Sequence, residues 1–207
     1  MTVIDLKREK GHLVEVCFKN GESVALDLDF CAEKCIHKGD ELTRGQIDEY
    51  KAESDYVRAK SRALWLLDRY TYSERRLFEK LKQAGFGEEA SARALARLKE
   101  LGLIDDKSLA ARYAGECSRR GISKREAYGK LYLKGFNAET VKAAIEDAGF
   151  DEKSQIQGLL ERKYKSKLLS GETDKVYAAL IRKGFSFGEV RNALKQYSEE
   201  LELNGEM

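Results

Sequence analysis

The chain has 207 residues, of which 36% are charged and 42% hydrophobic, and 38 lysines and arginines against 36 aspartates and glutamates leave a formal net charge of +2. No window approaches 18 uncharged apolar residues, which excludes a transmembrane span, and the start "MTVIDLKREKGHLVEV" lacks the apolar core and small-residue cleavage site of a secretory signal. The charge is uneven: residues 61–149 carry 18 basic and 13 acidic side chains, a mildly basic centre that suits an acidic partner without demanding one.

Taken in chain order, residues 12–28 read as a hairpin. Val14, Val16 and Phe18 alternate with Leu13, Glu15 and Cys17, then Asn20-Gly21 precedes Val24, Leu26 and Leu28. Period-two patterning around Asn-Gly predicts a two-stranded ribbon closed by a type I′ turn. "VIDLKREKGHLVEV" adds a third strand, with its turn near Gly11. So small a sheet must pack on something to be stable. Residues 31–60 read as helix in pieces, broken at Lys38-Gly39-Asp40.

The remainder repeats. "LFEKLKQAGFGEEASARAL" (77–95), "AYGKLYLKGFNAETVKAAI" (127–145) and "VYAALIRKGFSFGEVRNAL" (176–194) start 50 and 49 residues apart. Leu81, Leu131 and Leu180 coincide, as do Phe78, Tyr128 and Tyr177, the pairs Gly85-Phe86, Gly135-Phe136 and Gly184-Phe185, and Ala94, Ala144 and Ala193. An aromatic three residues before a leucine shares its helical face, so both are expected to point inward. Glycine ends that helix in the left-handed conformation, and the phenylalanine folds back on the last turn. Gly87, Asn137 and Ser186 then serve as N-caps of the next helix, with a capping box at Ser186–Glu189.

A further helix precedes each pair: about 60–70, with Ala63, Leu64, Leu67 and Trp65 apolar; about 107–119, with Leu109, Tyr113 and Cys117 on one face; and about 153–169. Ser73 and Ser123 are the expected caps of the second helices, and Ser123-Lys124-Arg125-Glu126 is another capping box. The expected fold is therefore mainly α: three tandem three-helix repeats in an elongated array, with a small N-terminal antiparallel β-ribbon. The expected boundaries are 1–58 for the ribbon with short helices, 59–104 for the first repeat, 105–150 for the second and 151–207 for the third.

Cys17, Cys31, Cys35 and Cys117 are too sparse for a disulfide framework and read as reduced thiols of a cytoplasmic protein. Cys31, Cys35 and His37 lack a fourth ligand at structural-zinc spacing, so no metal and no cofactor are expected. A cysteine–histidine nucleophile lacks an orienting third group, and the Gly-Phe pairs are helix ends rather than phosphate-cradling loops. Arg69, Arg75 and Arg76 cluster around the first inter-helix loop of repeat one, and Arg119, Arg120, Lys124 and Arg125 around the matching loop of repeat two, with Lys134 nearby. Each cluster is either a solvated face or a contact for an acidic protein surface or nucleic-acid phosphates. Tyr70 and Tyr72 either stack on bases or pack on neighbouring helices.

The segments "ALWLLDRYTYSERRLFEKLKQAGF" (63–86), "LKELGLIDDKSLAARYA" (98–114) and "RRGISKREAYGKLYLKGF" (119–136) resemble the RecX family, regulators of the bacterial RecA recombinase. The element Gly102-Leu103-Ile104-Asp105-Asp106 is the most family-specific piece, and the resemblance is weakest after residue 150. It implies a non-enzymatic, monomeric protein of tandem three-helix modules. Such proteins bind the RecA–DNA filament along its groove, near DNA phosphates, and damp ATP turnover, strand exchange and co-protease activity in DNA repair and the SOS response. The family offers no catalytic motif to carry over. Asp105 or Asp106 is expected to cap the first helix of the second repeat, with Leu103 and Ile104 anchoring the turn against the first module. The rival expectation is a stand-alone nucleic-acid-binding helical module.

Overall fold

The computed structural model describes residues 1–203, so the last four residues of the expected third repeat lie outside the described residues. The fold is mainly helical with a small N-terminal antiparallel sheet, and it divides into two compact units, Met1–Asp105 and Asp106–Met207. Among the described residues no helix is long and apolar enough to cross a membrane.

In the first unit, strands β1 (Val3–Glu9), β2 (Leu13–Phe18) and β3 (Ser23–Asp27) form the sheet in that order. Val14, Val16 and Phe18 are buried while Leu13, Glu15 and Cys17 are half-buried, as the alternation requires. The turn after β2 differs from the sequence expectation. Only Gly21 has positive φ (+85°), and the Gly21 amide donates to Phe18 O at 3.0 Å, so Asn20 is not left-handed and the turn is not type I′. A three-residue loop with its last residue left-handed joins the strands instead. Helix α1 (Leu28–Glu33) starts at once, its first amides at Asp29 and Phe30 donating to the Asp27 carboxylate at 3.0 and 3.2 Å.

The helical pieces expected over 31–60, broken at Lys38-Gly39-Asp40, are the end of α1 and the start of a second helix that is longer than expected. After the break around Gly39, a Thr43–Gln46 capping box opens α2, which runs from Arg44 to Arg69 without interruption. The helix expected at about 60–70 is its C-terminal part, and α2 passes straight through residue 58. No proline or glycine lies between Gly45 and Arg69 to stop it. Its N-terminal half covers the sheet: Ile47 is buried with Val3, Val16, Phe18 and Leu26, and Tyr50 packs beside them. The Asp27 amide donates to the fully buried Ser54 hydroxyl at 2.7 Å, tying β3 to α2. Its C-terminal half packs Ala63 and Leu66 against Leu77 and Leu81 of α3 (Glu74–Gln83) and Leu95 and Leu98 of α4 (Glu88–Glu100). Ala59, Ala90 and Ala94 let α2 and α4 approach closely.

The second unit holds α5 (Asp106–Arg119), α6 (Lys124–Leu133) and α7 (Ala138–Asp147) around Ala110, Ala114, Leu131, Phe136 and Val141. Next, α8 (Glu152–Leu159) passes through a π-helical turn, Leu160–Tyr164, into α9 (Lys165–Leu169). Helices α10 (Thr173–Arg182) and α11 (Phe187–Leu203) complete a core of Ile156, Leu160, Val176, Leu180, Phe185 and Val190.

The Gly-Phe anchors behave as expected. Gly85, Gly135 and Gly184 have φ of +89°, +93° and +90°, and Phe86 and Phe185 donate back to Leu81 O and Leu180 O. The helix ends at Gly102-Leu103 and Gly121-Ile122 use the same bond, to Leu98 O and Cys117 O. Both expected capping boxes are half formed. Ser123 and Ser186 accept from the Glu126 and Glu189 amides, but the Glu126 carboxylate pairs with Lys130 at 2.7 Å. Three apolar expectations fail: Leu64, Trp65 and Tyr128 are 41%, 44% and 39% exposed, and Leu66 takes the core position on α2. Removing the acceptor that links sheet to helix leaves a buried amide unpaired, so Ser54→Ala should cost about 1–3 kcal/mol in urea unfolding.

Candidate functional site

The two basic clusters that the repeats predict sit at equivalent corners, yet their electrostatics differ. In the first unit, Arg75 and Arg76 lie in the first turn of α3 and share Glu79, at 3.2 and 2.8 Å. The hydrogen bond from Arg76, then that from Arg75, holds the Glu79 carboxyl below the usual carboxylate range. Arg69, the last residue of α2, donates to Trp65 O at 3.3 Å and lies 3.6 Å from Asp68. This corner is largely compensated from within.

Around the start of α6 in the second unit the compensation is weaker. Arg120 pairs weakly with Glu116 at 3.5 Å. Arg119 ends α5, while Lys124 and Arg125 occupy the first turn of α6, and none of these three side chains makes an ion pair among the described residues. Lysine and arginine at a helix N-terminus oppose the macrodipole, which favours acids there by about 0.3–1 kcal/mol each. Their placement is therefore not explained by helix stability. Lys134, the C-cap residue of α6, sits apart from the corner, with its ammonium 4.1 Å from the Tyr113 ring centre.

The corner is held firmly within its unit. The Ser123 hydroxyl donates to Lys183 O at 2.6 Å, the Lys124 amide donates to the Glu152 carboxylate at 3.0 Å, and Gln155 Nε2 donates to Ser118 O at 3.1 Å. Gly184 lies against Ser123 and Arg125, and a Cβ there would meet the Ser123 hydroxyl at 2.9 Å. The loop between α5 and α6 is thus pinned from two sides by the helices that follow, which fixes where its cations point.

The clusters expected from the sequence leave out Lys142 and Arg62. Lys142, on α7, lines one recess with Lys124 and Arg125. Its signal was available in the repeat alignment, where its counterparts are Ala92 and Arg191, so a cation recurs in only two of three copies. On α2, Arg62 and Arg69 place their guanidinium carbons 4.3 and 4.1 Å from the Trp65 ring centre, three and four residues either side. That stacking supports an indole which burial does not. Tyr70 is 60% exposed and 6.0 Å from Tyr72, which packs on the first unit's core.

The family-specific element forms a helix end. Gly102 has φ +70°, Ile104 is buried among the first unit's leucines, and Leu103 is 51% exposed, so only Ile104 anchors the turn. Asp106 is the first residue of α5, with Asp105 immediately before it. For metal, the converging ligand atoms are those of His12, Asp27 and Asp29 rather than Cys31, Cys35 and His37, all within 4.8 Å of one another. Asp27 is already engaged in capping α1, and exposed His12 lies 3.1 Å from Asp29. Burial pushes the Cys31 thiol up, and nearby Asp27 adds to it, so Cys31 is a poor thiolate.

The family model described as RecX, first three-helix domain, matches residues 59–98. The protein named regulatory protein RecX from Chlorobium phaeobacteroides is 30% identical over 150 residues, covering 70% of this chain and 97% of that one. The like-named protein of Caldanaerobacter subterraneus subsp. tengcongensis is 26% identical over 189 residues, covering 91% and 95%. A crystal structure of regulatory protein RecX superposes with a TM-score of 0.66 at 22% identity, covering 94% of this chain and 98% of the other.

Trp65 is the only tryptophan, so its emission should be quenched readily by iodide, which its flanking arginines attract. In the double variant Arg62→Gln and Arg69→Gln, iodide quenching should fall while quenching by neutral acrylamide holds.

Proposed function

This chain belongs to the RecX family of regulatory proteins, and on that footing we propose that it binds the RecA–DNA filament and damps RecA's recombinase, ATPase and co-protease activities without chemistry of its own. It acts as a monomer in the cytoplasm, in recombinational repair and the SOS response. The observation that carries the reading is the rigidly held corner of Arg119, Lys124 and Arg125, whose side chains make no ion pair among the described residues, with Lys124 and Arg125 set against the α6 dipole. Lys124 and Arg125, placed at a cost to their own helix beside a fixed loop, suit an acidic protein face or phosphates lying in a filament groove. Arg120 adds to the same corner, Arg69, Arg75 and Arg76 form a weaker second contact, and Lys134 lies outside both.

The alternative, a stand-alone nucleic-acid-binding module, draws on the exposed Tyr70 and the Arg62–Trp65–Arg69 stack. Gel-shift titration without RecA separates the two. Tight, steeply salt-dependent binding to DNA alone would replace the filament reading.

Added to RecA on single-stranded DNA, the protein should lower ATP hydrolysis at stoichiometric amounts. Charge reversal at Arg119 and Lys124 together should weaken that effect about tenfold or more while leaving far-UV helicity unchanged. Unaltered inhibition by the variant would move the contact elsewhere on the molecule.

A further inference from the structure

The second unit carries the same recess twice. Between α6 and α7, Tyr128, Ile145 and Phe150 form an apolar floor, and Lys124, Arg125 and Lys142 stand around it, enclosing ≈ 560 Å³. Forty-nine residues on, between α10 and α11, Tyr177, Leu194 and Arg191 line a recess of ≈ 610 Å³. The corresponding place in the first unit is strapped. Fifty residues before Lys124 and Gly149 stand Glu74 and Lys99, whose 2.7 Å ion pair joins α3 to α4. A cation in place of Glu74 and a glycine in place of Lys99 remove that strap.

Opening the recess leaves a defined chemistry. Lys124, Arg125 and Lys142 make no ion pair among the described residues; Glu146 lines the recess with them, and the Glu152 carboxylate accepts from the Lys124 amide at 3.0 Å. Tyr128 is 39% exposed although its position three residues before Leu131 suits the core. We propose that the α6–α7 recess docks a short acidic segment of a partner protein. One aliphatic or aromatic side chain of that segment seats on Tyr128, Ile145 and Phe150, and its carboxylates meet the three cations.

Charge complementarity selects an acidic occupant, and the floor favours peptide over nucleic acid. The floor is part aliphatic, offering one exposed ring rather than a stacking platform. The volume falls in the range of small-ligand pockets, about 300–1,000 Å³, enough for an anchoring side chain and its neighbours. The recess shares Lys124 and Arg125 with the filament reading, while Lys142, Glu146 and the apolar floor belong to it alone, so loss of ATPase damping would not touch it, nor would its failure touch that reading.

The test is fluorescence anisotropy with the full chain and a fluorescein-labelled Asp-Glu-Leu-Phe-Glu-Asp peptide at low salt. Saturable binding is expected. Binding should be about tenfold weaker with Lys142→Glu and about threefold tighter with Glu146→Lys, both exposed positions. The peptide with Ser-Ser in place of Leu-Phe should also bind about tenfold more weakly. Equal binding of the Ser-Ser peptide, or indifference to Lys142→Glu, would overturn the proposal. So would displacement of the peptide by short oligo-dT, which would make the recess a nucleic-acid surface.

Discussion

Among the described residues α1, α3, α4, α5 and α10 end the same way, and the packing that follows depends on that ending. A residue in the left-handed region closes the last turn, and the apolar residue after it returns its amide to a carbonyl five positions back. Leu81 with Phe86, Leu98 with Leu103, Cys117 with Ile122 and Leu180 with Phe185 all follow this rule. Only glycine takes that backbone without a penalty, about 1–2 kcal/mol for other L residues. Because the chain has no proline, these turns are what convert a helix-prone sequence into short helices that reverse direction. Cys35, with φ +51°, closes α1 in the same manner without glycine, and so stores strain where the others do not.

What the turn positions, the following helix uses. Phe136 and Phe185 are buried in the cores they close, while Ser73, Ser123 and Asn137 cap the next helix within a few residues of a turn or loop. The α5–α6 corner shows the functional consequence. Ser123 both caps α6 and donates to Lys183 O, so the loop that Arg119, Lys124 and Arg125 flank is fixed by the helices that follow. A charge cluster on a mobile loop pays ordering entropy when it binds; one on a pinned loop has already lost it on folding.

The repeats also show how little change separates a closed surface from an open one. Glu74 and Lys99 strap α3 to α4, whereas Lys124 and Gly149 leave the same place accessible between α6 and α7. The two corners diverge in the same way: Glu79 absorbs Arg75 and Arg76, while Glu126 turns to Lys130 instead of to the cations near it. Repetition supplied equivalent frames, and single side chains made them unequal.

By itself the sequence determined the strands, most helix ends, the three-fold repetition and the family, because these rest on local rules: period-two alternation, Gly-Phe closures and caps read within a few residues. It also marked the basic corners, since charge recurs at aligned positions. Only tertiary structure decided that α2 is one helix, because nothing local stops it and its two halves are covered by different neighbours, the sheet at Ile47 and the α3–α4 pair at Leu66. Likewise Trp65, Leu64 and Tyr128 are apolar by type yet exposed, since a helix facing two partners buries whichever residues those partners reach. Whether a cation is compensated was beyond any local reading. It turns on carboxylates three or four residues away at Arg75 and Arg76, on one from another helix at Lys99, and on a carboxylate that meets the backbone amide rather than the ammonium at Lys124.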